Sequence, residues 1–419
     1  MPTMVYDNNL IKPIYMKPQK YATILLFILC FHSMEAQMFQ FEILPYHTDP
    51  YIDSNNVKHV VYYDNDVTQR AELFVFLPGS SALPNMYDEI TKIAASLGYH
   101  ALSLAYPNSP SISNLCENSP DPDCAEKARL EIIEGIDYHP DIDVDEHNCI
   151  KNRLFKLLVF LHNQVPGKGW NTFFSENNTL NWDKIVIAGH SQGGGHTALI
   201  AKHQKIRRAL FFNSPSDYDP IHGFPDWMNA DNETPSEQYY AFFHQQDGGD
   251  KRLLVYEMLG LLLHGKEVNS DVSQAPYQHT RVLFTDENTF DTEKYMNQNG
   301  INEHSDIIVD HELPIDNEGN IAYTPVWEYM LSHEMTTHLE YLEPPKYGLF
   351  PNPSTGKIRF YNLPENNWQW VQILDSKGKV IQKMPFQTNM NLNHLASGIY
   401  TAQLIADKST AQIRFFIKH

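Results

Sequence analysis

Little in this chain is available for covalent stapling, for attraction to polyanions or for burial in a bilayer. Of 419 residues only four are cysteine. Cys30 would leave with an N-terminal export segment, and the three that remain permit one internal bridge. Cys116 and Cys124 bracket Pro120-Asp121-Pro122-Asp123 and could close such a loop in an oxidising compartment. Cys149 would then be unpaired on an apolar-periodic helix, a buried filler rather than a nucleophile. Basic residues are scarce as well, with 31 Lys+Arg against 51 Asp+Glu and a formal net charge of -20. That field repels phosphate and argues against a nucleic-acid or anionic-membrane partner. Long apolar runs are missing too. The stretch Tyr21 to Phe31 follows Lys17 and Lys20 and precedes small Ala36. It is too short for a permanent transmembrane helix, no stop-transfer pattern follows it, and residues 1–36 read as a signal peptide region, with Met16 a possible true start.

What is present begins with Gly189-His190-Ser191-Gln192-Gly193, directly after the apolar strand-like run Lys184 to Ala188 and ahead of helix-like His196 to His203. A G-x-S-x-G sequence at a strand-to-helix turn holds its serine in a strained conformation at a cleft, with helix N–H groups near a developing oxyanion. Ser191 is therefore the candidate nucleophile. Apolar runs alternate with helical stretches between residues 70 and 345. Ala71 to Leu77, Ala101 to Ala105, Arg208 to Phe212, Tyr239 to Phe243 and Arg281 to Phe284 read as strands. Tyr87 to Leu97, Asn152 to His162 and Leu253 to Leu263 read as helices. The pattern predicts an α/β fold with a mainly parallel sheet and flanking helices, on α/β-hydrolase lines.

In that layout the acid and the base follow the serine in chain order. Asp247 ends the run Tyr239 to Gln246 and is preferred as the acid. Asp217, after the preceding strand, is the competitor. Candidate bases are His279, His304, His311, His333 and His338, and His304 is preferred because it follows the last core strand. The oxyanion hole needs one donor after the nucleophile, from Gln192, and one from Leu77-Pro78-Gly79-Ser80-Ser81, where the N–H of Ser80 or Ser81 points inward. A Ser191, His304, Asp247 set would act on a small-molecule or polymer ester. The alternative is an inactive surface binding protein on the same scaffold. Neither 107–145 nor 219–237 contains a long apolar lid segment, which argues against an interfacial lipase.

Two metal-like motifs fail. The histidines of His333-Glu334-Met335-Thr336-Thr337-His338 stand five apart, about 140° around a helix, where zinc motifs use four. Asp141-Ile142-Asp143-Val144-Asp145 lacks the glycine and the final acidic residue of a calcium loop and reads as a solvated acidic turn, with weak calcium binding left open. No metal and no cofactor is expected.

Composition shifts at Glu343-Pro344-Pro345-Lys346, after which apolar residues alternate with period two, so 347–419 is expected to form a small antiparallel β-sandwich. The catalytic domain is expected to span 37–343. Phe350-Pro351-Asn352-Pro353-Ser354-Thr355-Gly356, Asp375-Ser376-Lys377-Gly378-Lys379-Val380 and Leu395-Ala396-Ser397-Gly398-Ile399-Tyr400 resemble the C-terminal sorting domain of type IX secretion. That resemblance implies passage across the outer membrane and a secretion-machinery partner. Gly189 to His196, Ser214 to Asp219, Tyr239 to Phe242 with His244 to Asp247, and Pro325 to Tyr329 resemble a BPSS-type family of secreted α/β-hydrolases. This second resemblance implies the fold and no particular substrate.

Overall fold

The computed structural model describes residues 38–218, 221–296 and 302–333, and in the C-terminal region 348–350, 352, 354–361, 363, 367–375, 379–406 and 409–418. The expected signal region, the linker 343–346, His338 and residues 376–378 lie outside the described residues.

The first part is built on a nine-stranded sheet of order β1-β2-β4-β3-β5-β6-β7-β9-β8. Its strands are β1 (Met38–Ile43), β2 (His59–Asp64), β3 (Leu73–Leu77), β4 (His100–Ser103), β5 (Ile185–His190), β6 (Arg208–Phe212), β7 (Tyr239–His244), β8 (Val268–Asn269) and β9 (Val282–Thr285). β1, β2 and β4 pair antiparallel, and every pairing from β4 across to β8 is parallel. Strands covered on both faces need apolar side chains at every position rather than at alternate ones. Leu73-Phe74-Val75-Phe76-Leu77 meets that demand throughout, and β6 meets it from Ala209 to Phe212, its buried first residue Arg208 donating to the Met330 and Leu331 carbonyls.

Alternate residues face opposite layers. Leu73, Val75, Ile187 and Phe211 pack with Leu154, Leu157, Leu158 and Leu161 of the helix Ile150–Gln164, whose spacing puts one apolar stripe on the sheet. Phe74, Phe76, Ala188, Phe212 and Phe242 face the other layer, with Ile90 and Ala94 of the helix Asp88–Ser96 and Trp327 and Met330 of the helix Thr324–Ser332. Full burial of each such side chain contributes about 1.5–3 kcal/mol.

The structure departs from the sequence reading in several places. β1, β2 and β8 extend the sheet beyond the strands expected. The helix expected over Leu253 to Leu263 instead runs Gly249–Met258 and breaks at Gly260, whose φ of 84° suits glycine, before a short 3-10 turn at Leu261–His264. Cys149 is not inside a helix. It is the buried N-cap of Ile150–Gln164, and its sulfur accepts the Asn152 N–H. Cys116 and Cys124 form a disulfide that joins the short helix Ile112–Cys116 to the helix Cys124–Glu134.

The C-terminal part forms two antiparallel sheets. One has the order β10-β11-β14, from Gly348–Phe350, Lys357–Tyr361 and Asn389–Asn391. The other has the order β13-β12-β15-β16, from Trp370–Leu374 (β12), Val380–Pro385 (β13), Gly398–Ile405 (β15) and Thr410–Ile417 (β16). Leu349, Ile358, Phe360, Val371, Ile373, Leu404 and Phe415 fill its core, as the two-residue period requires. No helix among the described residues is long and apolar enough to cross a membrane.

Candidate active site

Ser191 follows the last residue of β5 and caps the helix Gln192–His203 with φ 52° and ψ -119°. A non-glycine residue held there stores strain of about 1–3 kcal/mol, so its surroundings must impose the conformation. They do so from both sides. The Ser191 N–H donates to the Phe212 carbonyl at 3.1 Å, and its own carbonyl accepts Gly194 and Gly195 N–H at 3.1 and 3.2 Å. A side chain on Gly193 would strike the Leu77 carbonyl, which is why the helix start can pass so close to β3. The Ser191 hydroxyl makes no hydrogen bond among the described residues.

Asp247 lies just beyond β7, and His304 lies in a loop beyond β9. The two meet with His304 Nδ1 at 3.1 Å from Asp247 Oδ2. Arg252 Nη2 donates to the same oxygen at 2.6 Å. Burial alone would push the Asp247 carboxyl up, but the His304 hydrogen bond and the Arg252 charge outweigh it and hold the group below its ordinary value. Asp247 is thus a half-buried anion with a cation and an imidazole on one oxygen.

The loop that carries His304 is fixed through its backbone. Asn213 Nδ2 donates to the carbonyls of Glu303 and His304, both at 2.9 Å, and His190 Nε2 lies 2.7 Å from the His304 carbonyl. The His190 and His304 rings are 4.9 Å apart between centroids, which brings the His304 ring beside the residue preceding Ser191. Since a carbonyl can only accept, His190 carries its proton on Nε2, and Nδ1 accepts the Tyr87 hydroxyl at 3.0 Å. Burial, with His304 alongside, pushes the His190 imidazole down to about 3, so the ring is neutral. Further along the loop, Ile307, Ile308 and Val309 are buried in the core. Asp306 is buried, its Oδ1 has no partner among the described residues, and burial first and neighbouring carboxylates second raise it to about 7.

The strip Gly79-Ser80-Ser81 lies against Ser191, so close that a Cβ on Gly79 would sit 3.3 Å from Ser191 Cβ. Gly79 N–H donates to Tyr87 Oη at 3.2 Å and Ser81 N–H to the Asn108 carbonyl at 3.1 Å. Between them the Ser80 N–H donates to no group among the described residues. The Gln192 N–H, at the first turn of its helix, is likewise uncommitted. The Gln192 side chain is engaged: its Oε1 accepts Ser80 Oγ at 2.8 Å and Ile112 N–H at 3.0 Å. Of the two serines expected to supply a donor, only Ser80 has its amide free.

The competing acid is committed elsewhere. Asp217 forms a buried ion pair with Arg129, with Arg129 Nε at 2.6 Å from Oδ2 and Nη2 on Oδ1, while Arg129 Nη1 donates to the Gln192 carbonyl at 2.9 Å. His279 precedes β9 at the opposite edge of the sheet and faces His333, with Nδ1 to Nε2 3.4 Å. His311 lies in the short turn Asp310–Glu312, exposed to solvent. Only His304 among the described candidates meets a carboxylate beside Ser191. Asp145, in the acidic turn, spends its Oδ1 on His147 N–H and on the amide and side chain of Asn148.

Cys116, Cys124 and His139 bring two sulfurs and an imidazole nitrogen within 4.8 Å of one another. The sulfurs are bonded to each other. His139 Nδ1 accepts the Asp141 N–H at 3.2 Å, which leaves the proton on Nε2, aimed at Cys124 Sγ 3.3 Å away. A donor N–H there is the wrong tautomer for a metal ligand.

Four participants escaped the sequence reading. Arg252 lies five residues beyond Asp247, one helical turn away on the helix that follows. His190 stands inside the motif itself, while Tyr87 and Asn213 act through partners distant in sequence.

Residues 348–418 match the family of secretion system C-terminal sorting domains. The chain is accordingly marked for type IX export to the cell surface or beyond it. Comparison with curated proteins finds no match. Among solved structures, a putative dienelactone hydrolase from Klebsiella pneumoniae subsp. pneumoniae MGH 78578 is similar at 11% identity, covering 60% of this chain and 85% of that one with a TM-score of 0.31.

Proposed function

We propose that the exported chain is a serine hydrolase of the α/β-hydrolase type, with residues 37–343 as the catalytic domain and 347–419 as the sorting domain. Its substrate would be a carboxylic ester. The observation that carries this reading is the hydrogen-bonded His304–Asp247 pair beside a serine held at positive φ. The resemblance of residues His190 to Tyr329 to BPSS-type secreted hydrolases points the same way.

Ser191 Oγ attacks the ester carbonyl carbon while His304 Nε2 takes its proton. Asp247 fixes the Nδ1–H tautomer of His304 and stabilises the imidazolium, itself held by Arg252. The carbonyl oxygen, now negative, accepts the free N–H groups of Ser80 and Gln192. Collapse breaks the ester bond, and the proton on His304 leaves with the alcohol. Water, deprotonated by the same imidazole, then attacks the acyl-enzyme, releases the acid and restores Ser191. Hydrogen bonds of this kind often tighten only with substrate bound, and the Ser191 hydroxyl, unbonded among the described residues, is available to turn to His304.

The test is covalent. A fluorophosphonate probe should label Ser191, and Ser191→Ala should abolish both labelling and hydrolysis of short p-nitrophenyl esters with the unfolding midpoint unchanged. A folded wild type that takes no label at Ser191 would leave the scaffold as a binding protein.

A further inference from the structure

The His304 carbonyl is held by two side chains that leave the ends of neighbouring strands. His190 Nε2 approaches it at 2.7 Å from β5, and Asn213 Nδ2 at 2.9 Å from just beyond β6. Asn213 adds a second donation to Glu303 and accepts the His244 N–H on Oδ1 at 2.9 Å, so its amide orientation is fixed by all three bonds. It is wholly buried and sits at φ 45°, a conformation that asparagine tolerates better than most residues. At its other nitrogen His190 continues through Tyr87 to the Gly79 N–H. One imidazole therefore bridges the two loops that lie on either side of Ser191.

We propose that His190 and Asn213 are positioning residues that clamp the backbone of His304, so that its ring keeps both the Asp247 contact and its distance from Ser191. The role rests on the proposed serine-hydrolase reading of the site. The physical need is clear from exposure. The His304 side chain is 42% exposed and receives little packing support of its own, while an error of about 1 Å in a reacting group can cost about 100-fold in rate. Asp247 can hold one ring nitrogen but cannot fix the height of the loop. His190 must stay neutral to serve, because only the neutral ring offers both an acceptor to Tyr87 and a donor to the carbonyl. Tyr87, Arg252, Asp247 and the His304 ring are the charged or titratable groups that face it.

Asn213→Asp is the sharpest test, since it preserves shape and the acceptor for His244 but turns a carboxylate oxygen toward two carbonyls. With unfolding midpoints as control, kcat on a p-nitrophenyl ester should fall about 100-fold with KM changed less than about threefold. His190→Gln, which keeps a donor near the Nε2 position, should retain more activity than His190→Asn, which does not reach the carbonyl. Nitrogen NMR of histidine-labelled protein, assigned with His304→Ala, should show a single Nδ1–H tautomer for His304 in the wild type and a mixture in Asn213→Asp. Folded variants that keep the wild-type kcat, or that lose it with the tautomer intact, overturn the clamp. A wild type without turnover or labelling whose His304 tautomer still scrambles in Asn213→Asp refutes the hydrolase reading and leaves the clamp standing.

Discussion

Arg129 and Asp217 form a buried, two-bonded ion pair beneath the Gln192 carbonyl, and the same guanidinium packs against Gly195 of the helix Gln192–His203. A carboxylate so engaged supports the base of the turn and is not available to orient an imidazole.

Replacement therefore separates the two candidate acids. Asp217→Asn should lower stability by about 3–5 kcal/mol, because Arg129 is left buried without its counter-charge, yet the folded fraction should still take a fluorophosphonate label. Asp247→Asn should cost less stability, because Arg252 keeps its bonds to the Asp247 and Pro215 backbone carbonyls, and should reduce kcat by about 10³ to 10⁴-fold through the wrong His304 tautomer. Urea melts paired with labelling rates read both effects, and the reverse pattern would make Asp217 the acid.

Gly193→Ala should be among the most damaging single methyl additions in the chain. The new carbon would meet the Leu77 and Pro78 carbonyls of the adjoining strand end; Leu77 is registered against Gly189 of β5 and the Pro78 carbonyl accepts the Tyr106 hydroxyl, so a shift of either disturbs an existing contact. Overpacking of this kind costs about 1–3 kcal/mol. Loss of Ser191 labelling should accompany it, as measured on protein that still melts cooperatively.

Asp310 predicts a pH signature in stability. Its carboxylate accepts the Asp88 N–H at 2.7 Å and the Glu89 N–H at 3.3 Å, capping the helix Asp88–Ser96. Burial, over the opposing pull of those two N–H groups and with Glu89 and Asp88 as like charges, raises it from 3.8 to about 7. The folded chain then binds this proton more tightly than the unfolded chain, so the contribution is complete below about pH 4 and is lost as the pH rises to about 7. In Asp310→Asn that dependence vanishes. Urea midpoints of both proteins at pH 5 and pH 8 should show wild type losing ground to the variant, by on the order of 2 kcal/mol, between the two values. A difference independent of pH would mean that the carboxyl titrates normally.

Removing the Cys116–Cys124 bridge should cost about 2–3 kcal/mol, the value expected for so short a loop. Cys116→Ser with Cys124→Ser should match the wild type in reductant, and reductant should leave the double variant unchanged. Thermal melts with and without reductant decide the point.

Legibility in the sequence followed how local each cause is. The turn at Ser191 could be read because strand, glycines and helix start lie close together in the chain, and Asp247 because it stands three residues beyond a strand whose run Tyr239 to Phe243 is apolar or aromatic. His304 emerged from chain order alone. Its clamp did not, since His190 meets Tyr87 across 103 positions and Asn213 meets His304 across 91, and no periodicity encodes such distances. β8 has two residues, too few to set a pattern, and β13 is largely exposed, which hides its alternation. The break at Gly260 was masked by an apolar run that continues straight through it.

His190 is registered beside Phe212, and Phe212 beside Phe242. Ser191, Asn213 and Asp247 therefore depart from three consecutive strands whose separation, about 4.8 Å, is a property of peptide groups rather than of any side chain. The working parts are mounted on rungs of a ladder, and their spacing is inherited from the backbone. The loops above this edge can be recast, and with them what the proposed site would accept, without recalibrating the gap between its parts.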